Sequence, residues 1–214
     1  MSILKLVKVL PILLLTLSGI LSCAVAPEKP KISINTTEWE LDSENFNQFK
    51  TNDPKYYDSY VYCYMTNGKN LNTAGTIVEA QVNKKSGSVD YGYGIVFNAK
   101  DKDNFYKFII TTDGWCYLSV CVNSYYTTIK SWSTSPFINQ GYNTINTLKV
   151  SNNLSAGTYN YYINNSLVYT TSMTNYTGIG GPGFYLDIGE QDDEKFPDTP
   201  VDVRFKMLDG IALP

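Results

Sequence analysis

The chain contains no histidine, so its chemistry must come from carboxylates, cysteines and aromatic or amide groups. A Ser-His-Asp triad, a Cys-His dyad and every His-ligated metal site are excluded. The densest run of acids is Glu190-Gln191-Asp192-Asp193-Glu194, with Asp198 close behind. Acids at i, i+2 and i+4 would share one face of a strand. Two of them, roughly 5–5.5 Å apart, could act as nucleophile and general acid on a glycosidic bond. That arrangement needs apolar residues between the acids to pack into a core. Here Gln191 and Asp193 intervene and Lys195-Phe196-Pro197 follows, so the stretch reads as a solvated loop. The loop also offers hard oxygens to Ca²⁺, an ion that takes about six to eight of them. Its spacing fits no EF-hand loop, because glycine is absent from the sixth position. No metal site or cofactor is assigned; Asp187, Glu190 and Asp192 are the residues that could contribute to one.

A second grouping points to binding. Read with period two, the strands expected near residues 75–122 turn Glu79, Gln81, Asn98, Lys107, Trp115 and Tyr117 away from the core. Recognition sites for small molecules combine apolar and aromatic area with a few placed polar groups. These six residues supply both an aromatic platform and planar polar side chains suited to sugar hydroxyls. Gly92 and Gly94 on the same face would lower the floor and let a ligand approach. Trp132, beside Ser133-Thr134-Ser135, is expected at the edge of the core.

The elements that must position these residues are strands. The chain has 18 Tyr, 20 Thr and 20 Asn, a mix that favours strands and turns over helices. Strand-like runs recur at 59–66, 75–83, 91–99, 105–112, 115–122, 125–132, 144–151, 158–164, 167–172, 183–188 and 201–208. Turn formers such as Asn67-Gly68, Ser86-Gly87, Asp113-Gly114, Asn152-Asn153 and Asn164-Asn165 separate them. In Val201-Asp202-Val203-Arg204-Phe205-Lys206-Met207, apolar and charged residues alternate, as in a half-buried strand. About eleven short strands in one chain imply an all-β antiparallel sandwich.

Four cysteines are present. Cys116 and Cys121 share one expected strand on opposite faces, so they cannot bridge each other. Cys63 could pair with either, or all three could be small buried hydrophobes. A Cys-only zinc site would use four thiolates. The fourth cysteine, Cys23, follows a leader. Lys5 and Lys8 precede an apolar run to Leu21, a signal-peptide pattern too short for a confident membrane span. The junction Ile20-Leu21-Ser22-Cys23 resembles the lipobox of bacterial lipoproteins, with Leu21 in the relaxed form familiar from spirochaetes. The resemblance implies diacylglycerol on the Cys23 sulfur, a further acyl chain on the new N-terminus, and attachment to the outer membrane or cell surface. Two or three chains hold lastingly where one is marginal. The expected organisation is 1–22 signal peptide, 23–31 lipidated tether and 32–214 one β-sandwich domain. Loss of Lys5 and Lys8 takes the net charge from −3 to −5, which gives no attraction to nucleic acid or anionic lipid. The N-x-S/T sequences at Asn35, Asn153, Asn164 and Asn175 are what so many Asn and Thr produce by chance.

A second resemblance lies in the domain. Residues 92–120, GYGIVFNAKDKDNFYKFIITTDGWCYLSV, look like the laminin-G or concanavalin A-like jelly roll, as do Tyr161-Tyr162-Ile163-Asn164-Asn165 and GIGGPGFYL at 178–186. The resemblance spans residues 75–210. It implies that Glu79, Gln81, Asn98, Lys107, Trp115 and Tyr117 line a concave sheet. That fold hosts lectins, binding modules and glycosidases alike. Its glucanases carry an E-x-D-x-E strand whose letters Glu190 to Glu194 match, without the alternating core residues. The expected function is a membrane-anchored, non-catalytic module that binds a glycan or a host or envelope surface component. The alternatives are a glycoside hydrolase relative, marked by a second carboxylate facing Glu79, and a purely structural envelope protein. Replacing Cys23 by Ala is expected to abolish lipid labelling and release the protein from the membrane fraction. Metabolic labelling with a fatty acid and membrane fractionation check this; labelling that persists in Cys23→Ala refutes the anchor.

Overall fold

A computed structural model describes residues 32–35, 40–51, 59–64, 76–172, 176, 180–188 and 200–209. The leader, Cys23, the tether and the acidic stretch with Glu190 and Asp192 lie outside the described residues. Fourteen strands are formed among the described residues. They are β1 (Ile32–Asn35), β2 (Glu40–Leu41), β3 (Asn47–Thr51), β4 (Ser59–Tyr64), β5 (Ile77–Ser86), β6 (Tyr93–Asp101) and β7 (Asn104–Ile110), then β8 (Trp115–Val122), β9 (Tyr125–Thr134), β10 (Ile145–Asn153), β11 (Thr158–Ile163), β12 (Ser166–Ser172), β13 (Gly181–Ile188) and β14 (Val201–Asp209). They make two seven-stranded sheets, in the orders β1-β4-β13-β6-β7-β8-β9 and β12-β11-β10-β5-β14-β3-β2. All pairings are antiparallel except that of β1 with β4. The all-β sandwich read from the sequence is the fold observed, with β1 to β3 as strands the pattern did not reveal.

The inner faces follow the alternation. Val78, Ala80 and Val82 on β5 and Val203 and Phe205 on β14 meet Tyr93, Ile95 and Phe97 on β6 and Phe184 and Leu186 on β13 in one core. Phe184 and Phe205 stack across the two sheets with centroids 4.8 Å apart, a geometry worth about 0.5–1.5 kcal/mol beyond area burial. On β14 the charged positions were expected outside in water, yet Asp202 and Arg204 are buried. The β2–β3 segment covers them. Gln48 donates to Asp202 at 2.8 Å, and Arg204 pairs with Asp42 and Glu44. Asp42 also accepts from the Phe46 and Glu44 amides. These bonds, Phe46 first, together with Arg204 outweigh desolvation and hold its carboxyl down at about 2.

Two sequence expectations are corrected by the structure. Glu79 and Gln81 lie on β5, in the sheet opposite Lys107 and Tyr117. Their cross-strand neighbours are Lys149 and Thr147 on β10 and Asp209 and Lys206 on β14, so they stand on the other outer face of the sandwich. Period two places a side chain on a face but cannot say in which sheet the strand lies. Asn98 is also displaced. The β6 register shifts after Phe97, and Asn98 takes a φ of 49°. Its side chain turns inward, where Nδ2 donates to the Tyr159 hydroxyl at 3.0 Å. The topology also decides between the two readings of the cysteines: Cys116 and Cys121 are buried and free. Cys63 on β4 is separated from β8 by β13, β6 and β7, about 19 Å at the usual strand spacing, far beyond disulfide reach.

Left-handed φ favours glycine and tolerates asparagine. Asn98→Gly should therefore lose side-chain bonds such as that to Tyr159, about 1 kcal/mol each, while Asn98→Ala loses the same bonds, adds backbone strain and should cost at least about 1 kcal/mol more. Urea unfolding of the two variants reads the order; equal losses would show that the bulge is unstrained.

Candidate ligand-binding face

The outer face of the first sheet is built by β13, β6, β7, β8 and β9. Alternation sends Tyr185 and Asp187 outward from β13, Phe105, Lys107 and Ile109 from β7, and Trp115, Tyr117, Ser119 and Cys121 from β8. Much of this face is dry. Val96, Ala99, Phe105, Ile109, Cys121 and Tyr185 form a second buried cluster, with Tyr117 and Tyr126 packed against it. Burial above all, and to a lesser degree the neighbouring Asp103 charge, push the Cys121 thiol up to about 11. It stays protonated at neutral pH and serves as a small hydrophobe. Gly92 leaves room for this packing. A Cβ there would stand 2.4 Å from Ile109 Cδ1 and 3.1 Å from Asp187 Oδ2. The space it leaves is filled by the protein's own side chains, where the sequence suggested room for a ligand.

Lys107 sits in the middle of this floor, and its residue is only 8% exposed. Its ammonium lies 4.4 Å from the Tyr185 ring centroid, 5.1 Å from that of Tyr126 and 5.5 Å from that of Tyr117. The negative faces of the rings replace part of the lost hydration. Nζ also donates to the Tyr185 hydroxyl at 3.1 Å, and that hydroxyl donates to Asp187 Oδ1 at 2.8 Å. The result is a polar relay of lysine, tyrosine and aspartate set in apolar surroundings.

Towards β9 the face opens. Trp115 is 40% exposed and Trp132 is 41% exposed. Tyr117 lies between them in sequence register and stacks on Trp132, with centroids 5.0 Å apart and an interplanar angle of 27°. Local structure explains the placement. Gly114, at a φ of 97°, closes the β7–β8 turn. The Trp115 amide then donates to Thr111 Oγ1 at 3.0 Å and fixes the first residue of β8. On β9, Ser133 faces Cys116 and Lys130 faces Leu118. Two residues of β9 thus oppose one of β8, and a second register shift follows between Leu118 and Ser119; together they leave Trp132 on the same outer face as Thr134, Thr128 and Tyr126.

Of the six binding residues read from the sequence, the structure brings together Lys107, Trp115 and Tyr117. Glu79 and Gln81 are on the far sheet and Asn98 is inside. Trp132, Tyr126, Tyr185 and Ser119 are the additions. Trp132 keeps the period-two parity of Tyr126, Thr128 and Thr134, so the alternation of β9 was the signal that could have found it. Tyr185 and Asp187 do alternate correctly in 183–188, but nothing in the sequence says that β13 lies beside β6. Among the described residues no group of three or more Cys, Asp or Glu could hold a metal ion. Asp187, read as a possible calcium contributor, is engaged by Tyr185.

The same two-sheet arrangement occurs in solved structures. A carbohydrate-binding module, CBM66, from Bacillus subtilis superposes with a TM-score of 0.53 at 14% identity, covering 83% of this chain and 96% of the module. A β-glucanase from Bacillus licheniformis gives 0.52 at 13% identity, covering 82% of this chain and 83% of the enzyme. A laminarinase from Flavobacterium sp. UMI-01 gives 0.53 at 12% identity, covering 85% of this chain and 84% of that one. No protein-family model and no curated protein matches the sequence. The chain therefore has the concanavalin-like jelly-roll fold shared by carbohydrate-binding modules and glucanases. At these identities the likeness is one of fold.

Lys107→Met keeps the stem but removes the cation–π contacts and the bond to Tyr185. It should cost about 1–3 kcal/mol in urea unfolding. A loss below about 0.5 kcal/mol, the range of an ordinary surface substitution, would show that the cage contributes nothing.

Proposed function

We propose that this chain is a non-catalytic glycan-binding module, displayed at the bacterial outer membrane or cell surface through a lipid on Cys23. The observation that carries the binding reading is the pair of half-exposed indoles, Trp115 and Trp132, on one sheet face with Tyr117 between them. Aromatic rings offer the flat apolar area on which the C–H face of a sugar rests, and Lys107 and Ser119 bring polar groups beside them. The shared fold of carbohydrate-binding modules and glucanases supports the same reading. Attachment through Cys23 rests on the leader sequence alone.

Fold neighbours that are enzymes keep hydrolysis as the rival reading. Hydrolysis of a glycosidic bond ordinarily uses two carboxyl groups, roughly 5–9.5 Å apart, flanking that bond. Around the described face, Asp187 is tied to Tyr185, and Asp103 to Ser124 and Lys102. Each is bonded to a donor on this face. Asp209 on β14 stands across from Glu79 in the strand register, the pairing that marks the hydrolase alternative, so that alternative belongs to the opposite sheet and not to this face.

A glycan array probed with residues 27–214 identifies the ligand. Against it, Trp115→Ala and Trp132→Ala are each expected to lose about 2 kcal/mol, roughly thirtyfold in affinity. The fold should be retained, since both rings are half-exposed. Titration calorimetry decides; parental affinity in both variants would remove this face as the site.

A further inference from the structure

One polar group on the face has no partner. Ser119 is fully buried, and its Oγ makes no hydrogen bond among the described residues. Such groups are few in native proteins, and each needs an explanation. Strand register defines its surroundings. Lys107 stands directly across on β7, and Thr128 directly across on β9. Along β8 the outward residues are Trp115, Tyr117, Ser119 and Cys121, and the serine side chain is far smaller than the aromatic ones before it. The floor is therefore low at Ser119, between an ammonium and a threonine.

Tyr117 closes this low point. Its hydroxyl lies 3.0 Å from Thr128 Oγ1, in a solvent-exposed contact. Thr128 is the residue paired with Ser119, so the Tyr117 ring runs across the position of Ser119 from β8 to β9. The ring is held by that one hydrogen bond, by the stack on Trp132 and by the Lys107 ammonium. Water competes for this hydrogen bond, so its net strength is only that of an ordinary intramolecular one.

We propose that Ser119 Oγ and Lys107 Nζ form a covered subsite of the glycan face, and that Tyr117 is its latch. This rests on the reading of the face as a glycan site. The occupant is one hydroxyl or hydroxymethyl group of a sugar ring that lies against Trp132. With Tyr117 tilted aside, the sugar oxygen faces the ammonium, and its hydroxyl exchanges a hydrogen bond with Ser119. The ligand then satisfies a group that the closed protein leaves unpaired, which gives it differential affinity for the open form. Rings lacking a hydroxyl at that position would leave Ser119 buried and unpaired, so Ser119 sets specificity.

The latch can be measured without any sugar. In the full chain carrying Ser119→Cys, iodoacetamide alkylation at position 119 is followed by peptide mass spectrometry. Adding Thr128→Val removes the latch bond. The rate at 119 is expected to rise about fivefold, the change in open population that loss of one ordinary hydrogen bond produces. Tyr117→Phe, which keeps the ring, should do the same. Cys121, two residues along on the same face, is the internal clock and should keep its rate. An unchanged rate at 119, or equal acceleration at Cys121 from strand opening, overturns the latch. In the Thr128→Val background, at least one of the methyl glycosides of glucose, galactose, mannose and N-acetylglucosamine should slow alkylation at 119 and not at Cys121. Protection by none of them overturns the assigned occupant. Failure of the sugar-free measurement leaves the glycan reading of the face standing, whereas parental affinity in the tryptophan variants removes that reading and leaves the latch rates interpretable.

Discussion

The fold depends on the insertion of its last two described strands into the middle of the two sheets. β13 enters between β4 and β6, and β14 between β3 and β5. Their side chains meet across the sandwich at Phe184 and Phe205, stacked 4.8 Å apart. Without β13 the first sheet would end at β6, and the face would lose Tyr185 and Asp187. Without β14 the β2–β3 segment would have no sheet to join, and Asp42 would lose Arg204. These pairings join residues far apart in sequence, so chain entropy opposes them until the core rewards them. The site is thus assembled by the same late, nonlocal contacts that complete the core.

The first sheet is buried on both sides over much of its area, and this shapes what its outer face can do. One side faces the second sheet. The other carries its own apolar cluster around Ile109, Phe105 and Tyr185. Polar groups in such a floor are expensive unless matched. Lys107 is matched by tyrosine rings and the Tyr185 hydroxyl. A second buried lysine shows a different solution. Lys84 on β5 points its ammonium at the Ser88 and Tyr91 carbonyls. Burial still pulls it down to about 8, with Asp90, Asp187 and Asp113 opposing that drop. Lys84 ties down the loop before β6, while Lys107 faces the aromatic platform. Only the second is placed to meet a ligand.

Much of this was legible in the order of residues. Alternation in 75–83, 91–97, 105–110 and 115–122 marked the correct inner residues, because side-chain direction in a strand is a local property with period two. The Asp113-Gly114 turn placed Trp115 at the start of its strand for the same reason. Where the backbone leaves that period, the reading failed. The bulge at Asn98 sent an amide inward.

By itself, the sequence determined the class of fold, the inward and outward sets of each regular strand, and the aromatic pair Trp115 and Tyr117, all of which follow from neighbours within a few residues. Only the tertiary structure decided which strands lie side by side. It put Glu79 and Gln81 on the opposite sheet, set Tyr185 and Asp187 beside Lys107, and laid Tyr117 across Ser119 to reach Thr128. Strand neighbourhood is set by the burial of whole faces against one another, a sum over the entire chain that no local pattern encodes.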